Sequence, residues 1–254
     1  MREGQGGDNA VSDPDRFSGR LFDKDAAGYE KQRLVSPAQR GVDFDGIMQR
    51  QIAAFLPSQH LGRVLDYGAG NSPYRQYISC DRYVTADVSQ NLAGDIEHLL
   101  VPGECLAVDA ASFDAALLLD VLEHVPDPDF VLGEIRRLLA PNGRLFISAP
   151  FIYREHETPY DFARYTVFGM RELIGRQQGE IVRLIKAGNA FYTLLALFLE
   201  RGVANGESNR LGIPGRIVNR LLRTLVPVLA PLLCKAPNQE DGIYHHLLLE
   251  VSFA

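Results

Sequence analysis

Arg63-Val-Leu-Asp-Tyr-Gly-Ala-Gly-Asn-Ser-Pro-Tyr74 runs a short apolar strand into a glycine turn. Val64 and Leu65 make the strand, Asp66 stands at its carboxyl end, and Gly68 and Gly70 follow. Such a turn lets the backbone approach a ligand closely, because a Cβ at either glycine would stand in the way. A tight turn without a ligand is the other reading, and a glycine-rich turn alone does not choose between them.

The chain on either side alternates helix and strand. Upstream, Phe44, Ile47, Met48, Ile52 and Phe55 recur at helical spacing and stop at Pro57, predicting an amphipathic helix before the first strand. Downstream, Ser72-Pro73 reads as a helix start, with Tyr74, Tyr77 and Ile78 facing inward. Tyr83-Val-Thr-Ala-Asp87 is the second strand, ending in an acid 21 residues after Asp66 and 17 after Gly70. A carboxylate there can accept hydrogen bonds from both hydroxyls of an adenosine ribose, although a strand-end Asp also serves as a plain turn cap. Asn91 to Ala111 is less regular, with a short strand near Asp95-Ile96.

Phe113-Asp-Ala-Ala-Leu-Leu-Leu-Asp120 is almost continuously apolar, as suits a central parallel strand covered on both faces. Asp127-Pro128 starts a helix, with Asp as N-cap and Pro at its first position. Its apolar positions are Val131, Ile135, Leu138 and Leu139; Pro141-Asn-Gly143 closes it, and Arg144 to Pro150 is the next strand. Phe151 to Tyr165 is polar, without a clear period, and reads as a long active-site loop. Thr166 caps a helix through Met170, Leu173 and Ile174, and Glu180 to Ile185 is a further strand. A Leu-rich insertion covers about 189–241, and Tyr244 to Phe253 is a last strand. The expected layout is a polar tail over 1–20 and one domain over 21–254, with α/β units wound into a single sheet.

Composition narrows the classes. The 254 residues are 46% hydrophobic and 23% charged, as in an ordinary soluble globular protein. A net charge of −6 argues against a chain-wide nucleic-acid-binding role. Cys80, Cys105 and Cys234 are odd in number and lack a Cys-x-x-Cys pair, which points to a reducing compartment and to neither zinc nor a disulfide framework. The first residues lack the apolar core of a signal peptide, and no run reaches the roughly 18 apolar residues of a membrane span, so a cytoplasmic protein is expected.

Five segments then stand in a fixed order: Val64-Leu-Asp-Tyr-Gly-Ala-Gly70, Asp87, Ser112-Phe-Asp114, Asp120-Val-Leu-Glu-His124 and Glu134-Ile-Arg-Arg-Leu-Leu-Ala-Pro-Asn-Gly143. With this series the chain resembles the class I S-adenosylmethionine-dependent methyltransferases, in particular the broad small-molecule group called type 11. The likeness covers Arg63 to Phe151 well and is looser from Glu155 onward. It implies an α/β fold with a doubly wound, mostly parallel, seven-stranded Rossmann-like sheet, an antiparallel last strand, and here a C-terminal helical insertion before that strand.

The resemblance also implies S-adenosyl-L-methionine as cofactor. Gly68, Ala69 and Gly70 would lie against its methionine part, with Asp66 orienting the amino group through water. Asp87 would bind the ribose, and Asp120 would line the methionine end near the reactive methyl. Glu104 is the expected adenine contact and Asp95 its competitor, because Leu106-Ala107 stands where the family has Leu-Pro. Ala69 replaces a common Cys, and Asn142 replaces a Gly, which Asn allows because it tolerates φ > 0.

Methyl transfer is an in-line displacement at a sulfonium-activated carbon, and a general base is needed only if the acceptor loses a proton. His156 and His124 are the catalytic candidates; each also has a structural reading, as a loop anchor and as part of a helix start. Asp161, Arg164 and Tyr165 are assigned to the substrate loop, where Arg164 either clamps an anionic substrate or pairs with Asp161. His245-His246 lack a third ligand, so no metal is expected. Neither Asn-Pro-Pro-Tyr nor a Pro-Cys nucleophile follows the fourth strand, which leaves a small-molecule or lipid-like acceptor and no nucleic-acid partner.

Arg216, Arg220 and Arg223 share one face of a helix within 213–234, interrupted by Pro227 and Pro231. That segment is either a peripheral membrane contact or a cap on the domain or on a second subunit of a homodimer. Two other functions compete with methyl transfer. One is a cofactor-binding assembly module without turnover; the other is a nicotinamide oxidoreductase, against which Gly68-Ala-Gly70-Asn-Ser-Pro73 lacks the third glycine.

Overall fold

A computed structural model describes residues 44–91, 93–204 and 242–253. Among them the helices are α1 Phe44–Phe55, α2 Pro128–Leu138, α3 Val167–Arg176 and α4 Ala190–Ala204. The strands are β1 Leu61–Tyr67, β2 Cys80–Asp87, β3 His98–Leu99, β4 Phe113–Leu119, β5 Leu139–Pro150, β6 Gly179–Ala187 and β7 His246–Phe253. They form one seven-stranded sheet in the order β3-β2-β1-β4-β5-β7-β6. Neighbours are parallel except at β7, which runs antiparallel to both β5 and β6. This is the doubly wound, mostly parallel sheet that the resemblance implies.

Successive residues of a strand point to opposite faces, so a strand apolar at every position needs cover on both sides. In β4, Ala116 and Leu118 pack with Leu132, Ile135 and Leu138 of α2 and Met170 and Leu173 of α3. Ala115, Leu117 and Leu119 face the other way, toward Met48, Ile52 and Phe55 of α1 and Tyr192 and Ala196 of α4. Two helix starts follow from their caps: Asp127 Oδ1 accepts from Phe130 N at 3.1 Å, and Thr166 Oγ1 from Gly169 N at 3.1 Å.

Strand order places the site. From β1 the chain steps outward to β2 and β3, then returns to add β4 on the opposite side of β1. The connections after β1 and β4 therefore diverge, and the crevice between them is where open α/β sheets bind ligands.

Local differences from the sequence reading have physical causes. Ser72-Pro73 starts only a 3-10 turn, Arg75–Tyr77, because β2 begins at Cys80 and too few residues remain for an α-helix. Tyr74 is buried as expected, but Tyr77 is 46% exposed. The short strand expected at Asp95-Ile96 lies at His98–Leu99, paired with Ala86 and Asp87. α2 stops at Leu138, and Leu139 already pairs with Phe113, so Pro141-Asn-Gly143 lies inside β5 at a register shift. The insertion opens with α4; the rest of it, including Arg216, Arg220, Arg223 and Cys234, lies outside the described residues, as does the 1–20 tail. No helix among the described residues is long and apolar enough to cross a membrane.

Candidate active site

Three acids close the carboxyl ends of adjacent strands: Asp66 on β1, Asp87 on β2, and Asp120 just past β4. The glycine turn is tied to β2 beside them. Gly68 N and Ala69 N both donate to the Ala86 carbonyl, at 2.8 and 3.1 Å. Gly68 takes φ +79°, and a Cβ there would meet Val121 Cγ2 at 2.4 Å, so turn and β4 exit close on each other only with glycine. Gly70 N donates to Asp87 Oδ2 at 2.9 Å and Ser89 N to Oδ1 at 3.2 Å. Asn91 Nδ2 donates to the Gly70 carbonyl at 2.9 Å.

Asp66 is 6% exposed and accepts from Tyr83 Oη at 2.7 Å. Burial pushes its carboxyl up to about 6. Asp120 behaves in the opposite way. It sits at φ +56°, a strained value for a side-chain-bearing residue, and its own N donates to the Ser148 carbonyl at 3.0 Å. Ser148 Oγ donates to Asp120 Oδ1 at 2.6 Å, and His246 Nε2 lies 3.3 Å from the same oxygen. Burial alone would raise this carboxyl, but His246 and Ser148 outweigh it and hold it below the usual range. Behind it, His246 Nδ1 is 2.6 Å from His245 Nδ1, and burial followed by the His246 charge pushes His245 down to about 3. Ser148, Asp120, His246 and His245 thus form one polar string, which fits the structural reading of the two histidines.

The loop after β5 is braced by Arg164. Its guanidinium forks onto Asp161 and also donates to the Arg154 carbonyl at 2.8 Å and the Ala163 carbonyl at 2.8 Å. Of the two sequence readings, the Asp161 pair is the one displayed. Against the effect of burial, Arg164 and the His156 N–H keep Asp161 below its ordinary range. Tyr165 Oη donates to the Leu122 carbonyl at 3.2 Å, and burial pushes that phenol up to about 12.

His124 and His156, 32 residues apart, meet with their Nε2 atoms 3.1 Å apart. Tyr153 sets its ring edge-on to His156 at 4.9 Å between centroids. Burial, then the His124 charge, lowers the His156 pKa. Glu123, between Asp120 and His124 in the chain, is fully buried; burial and then the Asp120 charge push its carboxyl well up. Glu104 is exposed on the turn before Leu106, whose N–H is held by Glu134 Oε1 at 2.8 Å. Asp95 is also exposed, and its carboxylate takes a hydrogen bond from Asn91.

A family model described as a methyltransferase domain matches residues 41–178, more than half of the chain. The chain belongs to this methyltransferase family. Among curated relatives, the ubiquinone biosynthesis O-methyltransferase of Xanthomonas oryzae pv. oryzae is 48% identical over 143 residues. That match takes in 47% of this chain and 59% of the relative, so the chain spans less than two thirds of the relative's length. Among solved structures, an S-adenosylmethionine-dependent methyltransferase from Mesorhizobium loti aligns at a TM-score of 0.50, with 15% identity over 82% of this chain and 99% of that one. The [4+2]-cyclase SpnF aligns at 0.51, with 18% identity over 82% and 80%. At these identities the structures bear on the fold alone, which is that of the class I S-adenosylmethionine-dependent methyltransferases.

The partners of this methyltransferase family member's acids were not read from its sequence. Ser148 had a signal, a polar residue in an apolar strand run; Tyr83 and His246 had none, because they reach Asp66 and Asp120 through strand neighbours. Glu123 was visible only as half of a Glu-His pair.

Proposed function

We propose that the chain is an S-adenosylmethionine-dependent methyltransferase acting on a small-molecule or lipid-like acceptor through oxygen. The observation that carries this reading is the ring of Asp66, Asp87 and Asp120 around the glycine turn at the point where strand order reverses. A cofactor with a cationic sulfonium, an ammonium group and a ribose diol calls for such a set of acceptors. The Gly70 and Ser89 backbone N–H groups fix the Asp87 carboxylate beside the turn, where it is the acceptor for the ribose hydroxyls. Asp66 turns toward the amino group, the backbone of Gly68, Ala69 and Gly70 lies along the methionine part, and Asp120 flanks the reacting end. Glu104 serves the adenine side, since the Asp95 carboxylate is engaged by Asn91.

When bound, the cofactor supplies an activated methyl group; the protein's part is to align it and exclude water. A hydroxyl acceptor gives up a proton, and the His124–His156 pair is where it is taken up. Asp161, Arg164 and Tyr165 shape the loop over the acceptor. The name of the Xanthomonas relative supports oxygen as the accepting atom and a lipid-like acceptor. A cytoplasmic setting goes with it, and 213–234 gives peripheral contact with anionic membrane; failure to co-sediment with anionic liposomes at low salt removes that contact.

Calorimetric titration of S-adenosylmethionine and S-adenosylhomocysteine into wild type and Asp87→Ala is the test. Micromolar binding is expected, weakened at least about tenfold, or about 1.4 kcal/mol, in the variant. A folded wild type that binds neither compound refutes the reading.

A further inference from the structure

The Glu123 side chain is fully buried, yet neither carboxylate oxygen has a hydrogen-bond partner. The facing ring nitrogens, His124 Nε2 at 3.8 Å and His156 Nε2 at 3.9 Å, are too distant for a hydrogen bond, with or without a proton on the carboxyl. Native interiors leave few polar groups in that condition.

Each imidazole has an acceptor oxygen behind it. His124 Nδ1 lies 2.8 Å from the Tyr160 carbonyl oxygen, which only accepts, so that nitrogen carries the hydrogen. His156 Nδ1 lies 3.2 Å from Asp161 Oδ2; the contact is too bent for a full hydrogen bond, but the carboxylate draws the ring hydrogen to that side. With the His156 ring hydrogen on that side, the remaining lone pairs of the neutral rings both sit on Nε2 and face each other across 3.1 Å. Two lone pairs and a carboxyl oxygen converging on one spot suit a cation, which on binding displaces the proton that burial favours on Glu123. Support of each imidazole by a carbonyl or carboxylate on its far nitrogen is also the usual outer arrangement of a metal site.

We propose that Glu123, His124 and His156 bind a divalent first-row transition cation of the zinc class through the Glu123 carboxylate and the two Nε2 atoms. One ligand atom from each residue already lies within 4.8 Å of the others. Two zinc–nitrogen bonds of about 2.05 Å at a tetrahedral angle set the nitrogens about 3.3 Å apart, close to the separation present, and Glu123 closes in by about half an ångström. Two imidazoles with one carboxylate suit this class better than Mg²⁺, which prefers oxygen ligands and keeps its water. Three protein ligands leave a position open to water or to a ligand oxygen. The site stands whether or not the chain transfers methyl groups; with the cation bound both Nε2 lone pairs are engaged, so uptake of an acceptor proton by the histidine pair belongs to the metal-free protein. Its rival is a proton shared between the two rings.

Full-length protein stripped with a chelator is titrated with Zn²⁺ by calorimetry, with and without excess Mg²⁺, and with Co²⁺ by visible absorption. Stoichiometric Zn²⁺ binding that Mg²⁺ does not displace is expected, with a Co²⁺ band of low-coordinate intensity. Affinity falls by roughly 100-fold in His156→Ala and in Glu123→Gln. Circular dichroism and thermal melting establish that the variants are folded, and His124→Gln replaces either one that is not. Absence of Zn²⁺ binding to folded wild type, or unchanged affinity in the folded variants, overturns the site and leaves the shared proton.

Discussion

Folding takes the Asp66 carboxyl out of water and returns one strong donor, the Tyr83 hydroxyl at 2.7 Å, so the group is pushed from 3.8 up to about 6. Between those two values the unfolded chain has released this proton while the native state still holds it. Stability therefore falls as pH rises from about 4 to 6, and the loss levels off above 6 at about 3 kcal/mol from this group. Denaturant unfolding of wild type at a series of pH values should show that decline, and Asp66→Asn should show less of it, the buried Glu123 supplying the remainder. The acids themselves were legible, because an Asp at the end of an apolar run marks a strand end. Most of their settings were not: Tyr83 and His246 reach them across strands, and cross-strand neighbours depend on a register that one sequence does not carry. The contact between His124 and His156 depends likewise on how a long loop folds back.

The glycine turn and the exit from β4 behave as one joint, because Gly68 leaves room for Val121 and nothing more. Gly68→Ala combines a left-handed backbone penalty of about 1–2 kcal/mol with a clash at 2.4 Å, so a loss of at least about 2 kcal/mol is expected by chemical denaturation. Val121→Ala in the same chain removes the clash and leaves the backbone penalty, so a double-mutant cycle should show rescue of about 1 kcal/mol or more. Purely additive losses would mean that the two elements move independently. Starts with their own cap signals were read correctly: α2 from Asp127-Pro128 and α3 from Thr166. Those set by neighbours were not. The start of β5 is drawn back to Leu139 by pairing with Phe113, and β3 lies where β2 offers partners, at Ala86 and Asp87.

Two apolar cores on opposite faces of one sheet give the molecule its stability. Ile52 belongs to the α1 side and Ile135 to the α2 side, and both are fully buried. Ile52→Val and Ile135→Val should each cost about 0.5–1.5 kcal/mol and add within about 0.5 kcal/mol, in a single cooperative transition. Separate transitions for the two variants would mean that the faces unfold apart. At this scale the doubly wound sheet was legible from alternating helices and apolar strands, while its seven strands and antiparallel last strand were what the family resemblance implied. The reaction is not legible at this scale, since a cyclase and a methyltransferase share the architecture. The strand order has a further consequence, for synthesis. Among the described residues β6 has no sheet partner except β7, and β7 is made after it. On the ribosome β1, β2, β4 and β5 can assemble early, but β5 shows a bare edge and β6 waits unpaired until His246–Phe253 has left the exit tunnel. Closure of the sheet therefore waits until all its other strands have been made, and the nascent chain up to that point is the form most in need of a chaperone.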